Sequence, residues 1–166
     1  MQELVISNVK TAQYKDVDLN RMFDPGAQHE SSFQFQNSTV ALPYVTGEGK
    51  LCVTFYTLHP GKSTFPCHYH TANEEVFYII SGKAVLETAD NEIEVSEGDV
   101  IVMPPNRNGA HKLHNRSDSP VVFLDVDTAI TPDVVFFPKS DKFRILTHEK
   151  MASFLGESEV NYLCRE

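Results

Sequence analysis

From Leu51 onward the chain breaks into short apolar-rich runs, each closed by turn-forming residues. The runs are Leu51–Leu58, Val76–Ile80, Lys83–Thr88, Glu92–Val95, Val100–Met103, Ala110–His114 and Val121–Asp127. Between them lie His59-Pro60-Gly61, Ser81-Gly82, Asp90-Asn91, Glu97-Gly98 and Asp118-Ser119-Pro120. Short runs with Gly, Pro, Asn and Asp at this spacing predict an all-β sandwich or barrel.

The flanks read differently. Residues 1–50 are polar and turn-rich, with turns at Asp24-Pro25-Gly26 and Gly47-Glu48-Gly49, and predict an N-terminal arm carrying one or two short strands such as Thr39–Leu42. Residues 51–128 form the barrel, and 129–166 a C-terminal extension packing on it. In the extension, Val134–Phe137 reads as a strand and Val160–Leu163 as a closing strand. Thr147 to Gly156 reads as a short helix, with Thr147 as its cap and Gly156 as its stop.

At 166 residues, one domain is expected. The net charge of −9 and the lack of any basic cluster argue against a nucleic-acid partner. No apolar run is long enough to span a bilayer, and the start lacks the cationic region of a leader, so no membrane association is expected. Three cysteines without a CxxC spacing (Cys52, Cys67 and Cys164) make a disulfide framework improbable and point to the cytoplasm.

The chemistry is concentrated in Gly61–Gly82. His68 and His70, two residues apart, share one face of an extended strand, and Glu75 opens the next apolar run. Two imidazoles and a carboxylate converging on one point suit a divalent transition metal. Cys67 adjoins His68 and should face the other way, as a packed thiol. His29, His59 and His148 read as surface residues.

Together with Gly98 to Asn115, this segment resembles the two signature motifs of the cupin superfamily. His68, His70, Glu75 and Gly82 match the first motif, and Gly98, Pro104, His111 and Asn115 the second. The stretch from Pro104 to His111 is two residues longer than the pattern, with Asn106 at the expected glycine position and Gly109 nearby. The resemblance implies a double-stranded β-helix, a conical jelly-roll barrel, with His68, His70, Glu75 and His111 holding one divalent metal. Mixed imidazole and carboxylate ligation suits Fe(II), Mn(II), Ni(II), Cu(II) or Zn(II) alike. Glu74 and His114 compete with Glu75 and His111. Motif spacing and strand parity favour Glu75 and His111, and put His114 on the outer surface.

Residues sharing the ligands' parity, namely Phe77, Ile79 and Leu113, are expected to line a largely apolar small-molecule pocket. On Leu51–Leu58 either row, Val53-Phe55-Thr57 or Cys52-Thr54-Tyr56, can face inward. The row carrying Asp125 and Asp127 is expected on the solvent face, and Arg107 in solvent. The resemblance leaves three functions open: an oxygen-activating, dioxygenase-like enzyme, which leads; a metal-assisted isomerase or lyase on a sugar or small carbonyl compound; and a non-catalytic ligand-binding module. Glu75 could serve as a base if it left the metal. A homodimer is expected, as cupin barrels commonly pair through their sheets.

Overall fold

A computed structural model of the protein describes residues 4–23, 32–43 and 49–158. In chain order the strands are β1 (Lys15–Asp18), β2 (Gln34–Ala41), β3 (Leu51–Leu58), β4 (Tyr69–His70), β5 (Glu75–Ser81), β6 (Lys83–Thr88) and β7 (Glu92–Ser96). They continue as β8 (Val100–Met103), β9 (His111–His114), β10 (Val121–Thr128), β11 (Asp133–Phe137), β12 (Lys142–Leu146) and β13 (Met151–Leu155). One short helix, α1 (Leu19–Phe23), follows β1.

One wall of the barrel is a six-stranded sheet in the order β1-β2-β3-β10-β5-β8. The other is built from two smaller sheets, β7-β6-β9 and β13-β12-β11-β4. These meet where His68, just before β4, bridges His111 at the start of β9. The fold is all-β, as the run-and-turn pattern predicts. Every strand expected between residues 51 and 128 is present, most within a residue or two of its predicted ends. The N-terminal arm extends the large sheet: β2 pairs with β3 and β1 with β2.

The choice left open for β3 is settled by burial. Cys52, Thr54, Tyr56 and Leu58 face inward and are buried, while Val53, Phe55 and Thr57 are partly exposed. Leu58, Ile79, Leu113, Val121 and Phe123 form the centre of the core between the walls. Each such fully buried apolar side chain contributes about 1.5–3 kcal/mol. At the β5–β6 turn Gly82 has φ +89°, and a Cβ there would lie 2.7 Å from the Pro120 carbonyl oxygen. The motif glycine is therefore required by both conformation and space.

The expected helix from Thr147 to Gly156 is absent; that segment is the turn and second strand of a β12–β13 hairpin. The Thr147 hydroxyl does accept backbone N–H groups, from Glu149 (3.3 Å) and Lys150 (3.0 Å), but it closes a turn rather than starting a helix. Phe154 stacks on Phe143 across the hairpin at 5.3 Å. This cross-strand contact outweighs the weak helical pattern. The expected turns at 24–26 and 47–49, His29, Cys164 and the closing strand Val160–Leu163 lie wholly or partly outside the described residues.

Candidate metal centre

Three short segments deliver the imidazoles. His68 and His70 come from the strand at β4, and His111 opens β9 directly opposite His68. The pair is locked by reciprocal backbone hydrogen bonds, His68 N–H to His111 O at 3.1 Å and His111 N–H to His68 O at 2.9 Å. Glu75 opens β5 on the facing wall. Its Oε2 lies 3.3 Å from His111 Nε2 and 3.6 Å from His70 Nε2. Ligand atoms of His68, His70 and Glu75 all fall within 4.8 Å of one another. The His68 and His111 rings are 4.7 Å apart, and those of His68 and His70 5.5 Å.

Each ring has its Nδ1 taken by a hydrogen-bond acceptor. His68 Nδ1 meets the Pro66 carbonyl at 2.9 Å, and His111 Nδ1 the Gly109 carbonyl at 2.9 Å. His70 Nδ1 meets Asp133 Oδ2 at 2.5 Å. A carbonyl oxygen can only accept, so Nδ1 of His68 and His111 carries the proton and Nε2 keeps its lone pair. All three Nε2 atoms are thereby presented as donors to a cation, the arrangement in which an outer acceptor fixes tautomer and ring plane.

Asp133, which opens β11, is buried and holds His70 in place. It accepts further bonds from the Thr71 and Ala72 backbone N–H groups, the Thr71 hydroxyl and the Asn73 amide. Burial alone would raise its pKa, but hydrogen bonds from His70, Asn73 and Ala72 outweigh this and hold the carboxyl well below the usual range. Sequence reading placed Asp133 only at the start of the strand expected over Val134–Phe137, with no role in the site. The signal it carried was an acidic residue opening a strand that pairs with the HxH segment.

The longer second motif is absorbed locally. Asn106 takes φ +71°, the conformation for which the motif uses glycine, and its N–H bonds the His70 carbonyl at 2.6 Å. The extra residues form a single 3-10 turn, Arg107–Gly109. Gly109 closes it where any Cβ would lie 1.8 Å from the Pro104 carbonyl oxygen. His111 therefore reaches its position despite the insertion. Arg107 pairs with Asp90 at 3.1 Å on the exposed rim, as expected of a solvated arginine. His114 points the other way from His111, to the Ser63 hydroxyl at 2.6 Å. Cys67 is buried, with burial pushing its thiol pKa up, and Glu87, Lys139 and Lys112 are its charged neighbours.

The expectation for β10 is reversed. Val121, Phe123 and Asp125 are buried and Asp127 is half-buried, so this row faces the interior. Register sets Asp127 opposite Glu75 and Asp125 opposite Phe77. Ligand oxygens of Glu75, Asp125 and Asp127 also lie within 4.8 Å of one another. Burial raises the pKa of all three, and each of Glu75 and Asp125 is raised further by the neighbouring carboxylates. Burial, followed by the neighbouring imidazoles, keeps His68 well below the usual histidine range, and burial brings His111 to about 4. Neutral rings beside crowded carboxyls form a donor set that a divalent cation fits and neutralises. Thiolate is absent from this set, and Cys52, cross-strand from Asp127, has its thiol raised to about 12 by burial and then by Asp127.

A cavity of about 990 Å³ opens onto these groups, with His68, His70, Glu75, Asp125 and Asp127 in its lining. Phe77, Ile79 and Leu113 stand behind the ligands rather than around this space. They belong to the apolar core, where Phe77 packs edge-on against His111 at 5.3 Å. The apolar lining comes instead from Phe33, Phe65, Val135 and Phe137. Lys142 and Arg144 on β12 add positive charge, both about 5.7 Å from the Phe137 ring centre. Arg144 also donates to the Ser153 hydroxyl at 3.0 Å. Sequence reading found no basic anion site because Lys142 and Arg144 lie on β12, a strand it did not place. A smaller groove of about 510 Å³ beside β1 and β2 contains none of the metal-donor groups.

Residues 54–127 match the family model described as the cupin domain. That segment is a cupin domain by its sequence match, and the barrel has the cupin double-stranded β-helix fold. An uncharacterized protein of Methanocaldococcus jannaschii is 28% identical over 99 residues, which is 49% of this chain and 75% of that protein. A cupin-superfamily sugar phosphate isomerase of Silicibacter pomeroyi superimposes with a TM-score of 0.69 at 21% identity, covering 94% of this chain and 96% of the other. A putative sugar phosphate isomerase of Acidithiobacillus ferrooxidans gives 0.67 at 21% identity, covering 76% and 80%. At such identities the likeness is one of fold. Among the described residues, no helix is long and apolar enough to cross a membrane.

Proposed function

We propose that this protein is a metal-dependent enzyme of the isomerase or lyase type, acting on a small anionic carbonyl or hydroxy compound. One observation carries this reading: a single cavity has the imidazoles of His68 and His70 and the carboxyl of Glu75 in its lining, together with Lys142 and Arg144, and His111 lies against Glu75 just behind them. His68, His70, Glu75 and His111 would hold the ion. It would supply Lewis-acid polarisation of a ligand oxygen. Asp133 and the carbonyls of Pro66 and Gly109 keep the rings aimed. Lys142 and Arg144 hold the anionic end of the ligand, and Phe65, Val135 and Phe137 exclude water around it. Glu75, with Oε2 against two Nε2 atoms, is assigned as a ligand rather than a base.

The test is solvent deuterium incorporation into a panel of small 2-oxo and 2-hydroxy acids and sugar phosphates, with protein reconstituted separately with Mn²⁺, Zn²⁺ and Fe²⁺. Metal-dependent exchange that falls about tenfold in Arg144→Ala, with metal content unchanged, is expected for the loss of one charge-assisted contact. Exchange indifferent to the metal would overturn the reading. The nitrogen–oxygen donor set without thiolate and the aromatic lining also suit an oxygen-activating dioxygenase. Oxygen consumption by the Fe²⁺ protein without solvent exchange would favour that alternative.

A further inference from the structure

The β10 aspartates have no role in the centre just described, yet they are built into its cavity. Asp125 is 7% exposed, and its Oδ1 is buried with no hydrogen-bond partner. Asp127 Oδ1 is likewise buried and unpartnered. Both line the cavity. Among the described residues, no lysine or arginine forms an ion pair with either aspartate. Strand register forces the crowding, since Asp127 faces Glu75 across β5 and β10, and Asp125 sits two residues along on the same row. Three carboxyl groups with oxygens within 4.8 Å in a buried wall repel strongly unless something positive lies between them.

Two things could fill that role, a shared proton or a cation. A shared proton joins two oxygens. It cannot partner three crowded carboxyl groups at once, so unmet polar demand stays in a buried wall, which is costly. A cation takes several oxygens at once. The set here is all oxygen, which suits hard ions such as Mn²⁺, Mg²⁺ or Ca²⁺, in contrast to the nitrogen-rich set alongside.

We propose that Glu75, Asp125 and Asp127 form a second, all-oxygen site for a hard divalent cation, with Glu75 shared between this site and the imidazole site. It rests on the reading above in that Glu75 is also a ligand of the first ion. The centre would then hold two ions side by side, and a bound ligand could bridge them. This deepens the proposed function by specifying a substrate with two adjacent oxygens, such as a 2-hydroxy or 2-oxo acid.

The test is the metal stoichiometry of the full chain. Protein stripped with chelator is titrated with Mn²⁺ by calorimetry, since Mn²⁺ accepts both donor sets, and then with excess Mg²⁺. Two Mn²⁺ per chain are expected, one of them displaced by Mg²⁺. Asp125→Asn/Asp127→Asn should bind one, and His68→Ala should lose the ion that Mg²⁺ does not displace. The wild-type count decides the matter even if a variant fails to fold. One Mn²⁺ per chain, or two retained in the aspartate double variant, overturns the second site and leaves the first standing. No Mn²⁺ at all overturns both this inference and the proposed function.

Discussion

The two walls of the cavity treat their polar groups in opposite ways. On the β4–β9 side each imidazole has its outer nitrogen satisfied by Pro66, Asp133 or Gly109, and Asp133 itself accepts from His70 and four further donors. On the β10 side two aspartate oxygens are buried with no partner. The first wall is complete as folded and only presents lone pairs. The second is complete only when something from the cavity supplies positive charge. Protein-internal hydrogen bonds thus preorganise one half of the site, and unmet polar demand defines the other.

That contrast can be broken or sharpened in several ways. The largest effect is expected from His68→Ala, which should leave the β-sheet circular dichroism spectrum intact while removing, after gel filtration, the ion that Mg²⁺ does not displace. Loss of metal and sheet together would make the site structural. Next, Asp133→Asn places an amide N–H₂ or loses a charged acceptor among five donors. It should lower metal-free stability by about 2–3 kcal/mol in denaturant melts and metal affinity by about 10–100-fold. Asp125→Asn should do the reverse on the other wall. Removing an uncompensated buried carboxyl is expected to raise metal-free stability by about 1 kcal/mol, visible as a higher melting temperature without metal. If both substitutions shift stability in the same direction, the two walls are not different in kind. Smallest is Thr147→Ala. It removes the hydroxyl that accepts the Glu149 and Lys150 N–H groups, should cost about 0.5–1 kcal/mol locally, and should speed amide exchange at Lys150 without altering metal content.

Sequence was informative about the first wall and nearly silent about the second, for physical reasons. His68, His70, Glu75 and His111 fall at offsets set by strand period and turn length, and those offsets are local. Glu75 was distinguished from Glu74 in the same way; Glu74 is exposed, with its backbone N–H on Thr128. Which face of β10 points inward is decided by its pairing with β3 and β5, strands far away in sequence. Two aspartates on one row therefore looked like a solvent face. The row Val121, Phe123, Asp125, Asp127 in fact runs from fully apolar to acidic, following the change from core to cavity along one strand. A graded row of this kind is the sequence signal that was available. The same limitation hid Lys142 and Arg144. Their hairpin is held by cross-strand aromatic contacts such as Phe143–Phe154, which a helical spacing pattern cannot register.

The turn at Arg107–Gly109 has a consequence for how such a barrel diversifies. His111 is anchored by reciprocal backbone bonds to His68, and the turn is pinned at one end by Asn106 on the His70 carbonyl and at the other by the Gly109 packing. Between those anchors, Arg107 and Asn108 are exposed, and Arg107 reaches Asp90 rather than the cavity. Length and chemistry at these two places can therefore drift while the ion-holding residues keep their positions, so the outer loop can evolve apart from the site it flanks.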